Sequence, residues 1–446
     1  MNAYSFGWSH IVRLGMVQAA LAAVIVLMTS TLNRIMVVEL TLPAIVPGIL
    51  VALHYLVQVS RPRLGHGSDQ GARRTPWIIG GMTMLTAGAL CATLATLWMS
   101  NFPVWGVLLS GAGFVMIGLG GGAAGTSLLV LLARRVEAEQ RVAAAIVVWL
   151  MMIAGFAFTS RIADSLLAPY SPTRLMAMTV AVCTLALIIT LLSLFRLETD
   201  PGDPVEQIED SQIATFSTAL SEVWQESLTR HFTLFIFISM LAYSAQDLIL
   251  EPFAANVFGF TPDESASLAG VQHGGVLVGM LLLAVGALFA NKFAKGRIGS
   301  LRMWCFGGCM ASAFMLTGLV LGAHMGSPWP LKTNLFLVGA ANGALSIAAI
   351  GLMMRLVTEG RSAREGVRMG LWGAAQAIAF GFGGLLGVAA SELAHWLIPS
   401  SGFAYGIVFA LEAVLFVIAA LRVLRIVIPA QPPAHNTQGL EQASFL

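Results

Sequence analysis

Long apolar runs separated by short polar stretches dominate this chain. The runs fall at about residues 13–33, 43–60, 76–99, 103–132, 142–163, 175–195, 231–250, 268–290, 301–323, 331–354, 367–391 and 402–424. A transmembrane helix needs roughly 20 predominantly apolar residues, which is the length these runs approach or exceed. They are too long for the strands of a membrane barrel and do not alternate. The pattern therefore predicts an all-α polytopic membrane protein with twelve transmembrane helices.

Composition agrees. Of 446 residues, 57% are hydrophobic and 10% are charged, and the mean hydropathy is +0.82. Soluble domains carry about 25% charged residues. One soluble core could not bury this much apolar surface, and a disordered chain would be far more polar. Soluble enzymes, nucleic-acid binders and secreted disulfide scaffolds are excluded. Cys91, Cys183, Cys305 and Cys309 all lie within apolar runs and lack zinc-site spacing, so they read as small packing residues. The polar N-terminal stretch shows no cleavage site, and no signal peptide is expected.

Charge placement orients the spans. Of the 24 Lys and Arg residues, only Arg34, Arg161, Arg174 and Lys332 fall on one side. The rest, among them Arg13, Arg61, Arg63, Arg73, Arg74, Arg134, Arg135, Arg141, Arg364 and Arg368, fall on the other. The positive-inside rule assigns that side to the cytoplasm, with both termini on it.

The expected organisation is a six-helix half over 1–195, a linker over 196–230, a second six-helix half over 231–428 and a polar cytoplasmic tail over 429–446. Glu198, Asp200, Asp203, Glu206, Glu209 and Asp210 make the first part of the linker acidic and solvated. Ile213, Phe216, Leu220, Val223, Trp224 and Leu228 recur at helical spacing, which predicts an amphipathic helix on the cytoplasmic membrane surface.

The halves repeat. Arg141 and Arg364 are 223 residues apart, as are Trp149 and Trp372. Asn33-Arg34 and Gln246-Asp247 are 213 apart, at the far ends of the first and seventh spans. Parallel six-helix repeats are the signature of the major facilitator architecture, with a cavity between the halves. The loop after the second span, Gly65-His66-Gly67-Ser68-Asp69-Gln70-Gly71-Ala72-Arg73-Arg74, resembles that superfamily's hallmark Gly-x-x-x-Asp-x-x-Gly-Arg-Arg loop, with Ala72 in place of the second glycine. Gly65 would let two spans turn tightly, and Asp69 can meet a helix N-terminus or an arginine.

Some groups could carry function. Gly120–Gly125 matches G-x-G-x-x-G, but no strand precedes it. Gly118/Gly122 and Gly121/Gly125 instead suit close helix packing. Asp247 and Glu251 share a helix face and call for a cation. Arg34, beside Glu39 at the repeat-equivalent position, is the expected partner, holding the periplasmic side shut near Gln246. The simpler account is a static salt bridge. His54 and His273 lie in the equivalent second and eighth spans, with Gln58 and Gln272 nearby. Each can be structural, bonding a neighbouring helix, or a metal ligand, including the axial ligand of a macrocycle's metal. Glu412 lies within the last span and must be protonated, paired or in a wet cavity. No catalytic constellation stands out.

Three stretches resemble the PucC family, the bacteriochlorophyll delivery proteins. They are Thr31-Leu32-Asn33-Arg34-Ile35-Met36-Val37-Val38-Glu39-Leu40, Arg73-Arg74-Thr75-Pro76-Trp77-Ile78, and Gln246-Asp247-Leu248-Ile249-Leu250-Glu251-Pro252. Ala52-Leu53-His54-Tyr55-Leu56-Val57-Gln58, before Arg61-Pro62-Arg63, resembles the branch associated with bacteriochlorophyll synthase. The resemblance implies a facilitator fold in the photosynthetic inner membrane of a purple bacterium. It implies a part in assembling light-harvesting complexes by handing bacteriochlorophyll to their apoproteins. The implied partners are those apoproteins or the reaction-centre complex, membrane lipids and bacteriochlorophyll synthase, and a carotenoid is a candidate second pigment. With that cargo, His54 and His273 become candidate magnesium ligands, on their chemistry rather than by family inheritance. Two other readings stand beside it: a secondary transporter of a small solute, and a pigment-free scaffold of the photosynthetic complex.

Overall fold

The computed structural model describes residues 6–43, 45–71, 73–137, 140–167, 170–198, 215–293, 301–359 and 364–426, and they are helical throughout, apart from the connections. The side chains of Asp164 and Asp247 are not among the described ones. Most of the acidic linker stretch, Ile213, Ala72, the basic loop Lys295–Arg297 and the tail after Pro429 also lie outside the described residues.

The first span is α1 (Trp8–Val26), a π-helical segment (Leu27–Leu32) and α2 (Asn33–Val38). The second is α3 (Ile45–Val57), a 3-10 turn (Gln58–Ser60) and α4 (Arg61–Asp69). Then come α5 (Thr75–Trp98), α6 (Pro103–Arg135), α7 (Arg141–Leu166) and α8 (Pro172–Leu194). A short α9 (Phe216–Gln225) precedes the seventh span. That span is α10 (Ser227–Ala245), with a 3-10 turn (Gln246–Leu248) leading into α11 (Leu250–Phe258). The rest are α12 (Pro262–Phe293), α13 (Leu301–Met325), α14 (Leu331–Leu356), α15 (Glu365–Leu397) and α16 (Ser401–Leu424). Eleven described helices are long and apolar enough to cross a membrane, and the eighth expected span falls on α12, apolar over Ser267–Leu283. This is a multi-pass membrane protein.

Helix starts follow local chemistry. Proline opens α6 and α8 and sits second in α4 and α5, where its missing N–H costs nothing. Before α12, Thr261 Oγ1 accepts from Glu264 N at 3.4 Å, while the Glu264 carboxylate accepts from Thr261 N at 3.0 Å. That reciprocal pair is a capping box, and these hydrogen bonds hold the Glu264 carboxyl below its usual range.

Glycines set the closest approaches. A Cβ on Gly120 would lie 2.5 Å from the Gly81 carbonyl oxygen of α5, and one on Gly118 would lie 2.7 Å from the His54 carbonyl oxygen of α3. Gly122 faces Arg61. The packing reading of the glycine run thus holds for Gly118, Gly120 and Gly122, whereas nothing lies within 4 Å of a Cβ on Gly125. In the second half, Gly275 and Gly279 of α12 abut the Phe336 and Ala340 carbonyls of α14, and Gly339 and Gly343 of α14 abut the Gln272 and Val276 carbonyls of α12.

Two sequence expectations change. The second span does not end at residue 60: helix continues to Asp69, so Gly65 is a helical residue rather than part of a turn. Arg61 is correspondingly inside the bundle. The short helix α9 buries Ala219 and Val223 against Val367 of α15, and Phe216 meets the His66 ring at 5.8 Å. Its apolar face is therefore on the protein, with Trp224 exposed, rather than on a membrane surface.

Candidate functional site

The halves meet along α3–α4 and α15, with α6 and α7 reaching α15 and α14. At the end carrying the basic loops, Gly65 and Gly366 cross so closely that a Cβ on Gly65 would lie 1.9 Å from the Gly366 carbonyl oxygen. Only glycine on both helices permits that crossing. It brings Asp69 over the N-terminus of α15. The Asp69 carboxylate accepts from Gly366 N at 2.9 Å and Val367 N at 3.2 Å, and pairs with Arg74 Nη2 at 2.6 Å. Arg74 is also held by Ser68 Oγ at 2.7 Å. Asp69 thus meets both a helix dipole and an arginine, across the two halves.

Further pairs surround this point. Glu198, the first linker acid, accepts from Arg74 N and Thr75 N at the start of α5. Arg134 pairs with Glu365 at 2.6 Å across the halves, and Arg141 donates to Thr358 Oγ1 at 2.9 Å. Arg368, with a fully buried side chain, is held by both oxygens of Glu226 and by the Val357 carbonyl. Arg73 is exposed.

The two histidines differ. His54 is 2% exposed, and its Nε2 lies 3.0 Å from Gln58 Nε2. His273 is exposed, and its Nδ1 lies 2.7 Å from the Ala269 carbonyl oxygen, which fixes Nδ1 as the donor. Packing explains the contrast. Gly118 abuts the His54 carbonyl, whereas its counterpart Gly339 abuts the Gln272 carbonyl. Gln272, not His273, therefore occupies the position of His54. It is buried and donates to Gln246 Oε1 at 3.2 Å, as His54 engages Gln58. His273 is one residue on, rotated by about 100° to the outer face. The exposed Leu277 and Leu281 lie on the same side of the helix.

At the far end, Arg34 and Glu39 are exposed, and Glu251 is exposed on α11. Gln246 is fully buried. Burial and then the Glu39 charge push the Tyr170 phenol up, which places Glu39 beside the connection into α8. The expected Arg34–Asp247 pair lies outside the described side chains; the described ion pair between the halves, Arg134–Glu365, is at the opposite end. Glu412 is 2% exposed, within α16.

Sequence reasoning missed Arg61. It lies between Gly122 of α6 and Gly373 of α15: a Cβ on Gly373 would be 2.6 Å from Arg61 Nη1. The position eight residues before Asp69 was its one available signal, since two helical turns carry it inward from the basic end. The centre of the molecule is thus not devoid of charge. Among the described residues, no cluster of three or more His, Cys, Asp or Glu could hold a metal ion.

The helix order and this interface define a membrane protein with a major-facilitator-like fold. A bacterial homologue of the iron transporter ferroportin, solved in its outward-facing state, matches at a TM-score of 0.75 and 11% identity, over 94% of this chain and 99% of that one. The major facilitator proton:xylose symporter XylE matches at 0.68 and 16% identity, over 94% and 96%. The family model described as PUCC protein matches residues 31–431, and the chain belongs to that family. It is 47% identical over 420 residues to the bacteriochlorophyll synthase 44.5 kDa chain of Rhodobacter capsulatus, covering 94% of this chain and 95% of the relative. It is 25% identical over 431 residues to the protein PucC of Rhodobacter capsulatus, covering 92% and 90%.

Proposed function

We propose that this protein is a non-enzymatic assembly factor of photosynthetic light-harvesting complexes, which binds bacteriochlorophyll in the inner membrane and hands it to antenna apoproteins. Family membership and the bacteriochlorophyll-associated name of the 47%-identical relative support the class of cargo. The observation that carries the site is His273. Its Nδ1–H is spent on the Ala269 carbonyl, so the Nε2 lone pair is free on an apolar outer face. That is the tautomer and setting an axial magnesium ligand requires. His231, His324 and His395 bond their own helix in the same way, but each sits near a helix end, whereas His273 is well inside α12. His54 is closed in by Gln58 and is not a ligand in this reading. Apoproteins, the reaction-centre complex and bacteriochlorophyll synthase are the partners expected to approach the lipid-facing side. Both termini lie in the cytoplasm, with the basic loops.

The test is purification in mild detergent from a pigment-making cell, reading the absorption spectrum and the co-purifying proteins. His273→Ala is expected to strip most bound pigment, and His54→Ala to leave it. Pigment retained by His273→Ala rejects the ligand assignment. A pigment-free wild type that still holds its partners rejects delivery in favour of a scaffold.

A further inference from the structure

We propose that the interface between the halves contains a recognition site for the carboxylate edge of a flat apolar ligand, with Arg61 as counter-charge and Tyr55, Phe380 and Tyr243 as the stacking wall. It rests on the pigment reading for the macrocycle; bacteriochlorophyll itself is esterified and brings no free carboxylate, so the guest that Arg61 calls for is the unesterified acid form of such a macrocycle.

The starting point is an imbalance. The described buried arginines near the interface are satisfied: Arg74 by Ser68 and Asp69, Arg368 by Glu226 and the Val357 carbonyl. Arg61 is not. Its Nε is sealed from solvent without an acceptor, and no described residue accepts a hydrogen bond from its guanidinium or pairs with it. Nearby, His54 Nδ1 is likewise buried without a partner. Arg61 is half-buried, with its Nε sealed and no anion beside its guanidinium, so a molecule that brings a carboxylate supplies the hydrogen bonds the fold has left unmade. The guanidinium fork matches a carboxylate with two parallel hydrogen bonds. The glycines on either side, Gly122 and Gly373, leave the room that the Arg61 side chain itself occupies.

The wall lies outward of this cation. Phe380 is seven residues after Gly373 on α15, about 10 Å along the axis. Its ring is stacked on Tyr55, with centroids 6.5 Å apart and planes 18° apart, and Tyr243 meets it edge-on at 5.7 Å. All three rings are only partly buried, leaving faces for a planar guest. Tyr55 and Tyr243–Phe380 come from opposite halves, so one guest would touch both.

The probe is protoporphyrin IX, a metal-free macrocycle with two free carboxylates, against its dimethyl ester. Absence of a metal removes any contribution from His273. Binding to the purified full chain in detergent is followed by porphyrin fluorescence. The diacid is expected to bind about 10- to 100-fold more tightly than the ester, the worth of a charge-assisted hydrogen bond in a buried site. Arg61→Gln is expected to abolish that preference, and Arg61→Lys, which keeps charge without the fork, to retain part of it. Phe380→Ala is expected to weaken acid and ester alike. Palmitate, a carboxylate without a flat face, is expected to compete poorly. Equal binding of acid and ester by the wild type, a preference that survives Arg61→Gln, or displacement by palmitate at porphyrin-like concentration would overturn the site. Arg61-dependent diacid binding by a protein that carries no pigment in cells would sink delivery alone. Pigment retained through His273 without diacid binding would sink this site alone.

Discussion

Asp69 and Arg61 stand eight residues apart on one helix, the first buried and the second half-buried against α15, and their charges are treated in opposite ways. Asp69 meets two backbone N–H groups of α15 and the Arg74 guanidinium. Arg61 lies between two glycines with no acceptor among the described residues. The first is a charge used for construction: removing it strands its partners. The second is a charge the fold tolerates rather than uses. The difference separates the end of the interface that holds the halves together from the part that is open to a guest.

The largest effect is expected at Asp69. Asp69→Ala leaves Arg74 buried without its anion and should destabilise the protein by about 3–5 kcal/mol. Thermal unfolding in detergent reads this directly. Arg61→Gln in the same assay should leave the unfolding temperature unchanged or raise it. If the two variants lose stability equally, the contrast is wrong. Next comes the crossing itself. Gly65→Ala places a methyl against the Gly366 carbonyl and should cost about 3 kcal/mol, the upper range for overpacking. Gly125→Ala, with nothing within 4 Å, is the control and should be near neutral. The smallest effect sharpens the comparison by moving a helix-capping carboxylate into water. Glu264 is exposed, and its hydrogen bonds from Thr261 depress its proton affinity. Its contribution is therefore complete above its ordinary value of 4.5 and is lost as pH falls through the lower folded value. A Glu264→Gln variant should match the wild type in strongly acidic buffer and be slightly less stable at pH 7.

The fold was legible because hydropathy runs, basic loops and a two-fold repeat all depend on local composition, and all pointed to the same topology. Asp69 was legible for its chemistry, because a carboxylate before Arg74 has few partners to choose from. Gly65 was not, because a glycine for a turn and a glycine for a helix crossing look alike in sequence. Arg61 was hidden for a related reason. An arginine beside a proline and a second arginine reads as a loop, and only the continuation of helix to Asp69 carries it inward. The histidines show the limit most sharply. Span equivalence paired His54 with His273, but the glycine contacts register His54 with Gln272. A shift of one residue is invisible to hydropathy and turns a side chain to a different face.

The first span changes its winding between Leu27 and Leu32, where π-helical turns interrupt the α-helix, and Thr29 Oγ1 donates to the Ile25 carbonyl at 3.0 Å. A π turn carries one surplus residue relative to an α-helix and is found mostly at functional sites; shifting it by one position would exchange one hydrogen bond for another. Each such step would rotate the outer segment Asn33–Val38 while leaving α1 seated. Register shifts of this kind run on the microsecond-to-millisecond scale, so the amides of residues 27–38 should show exchange broadening in solution spectra that those of α5 do not. The outer end of the span would then be a slow rotor, turning Arg34 and Glu39 past their neighbours without parting the two halves.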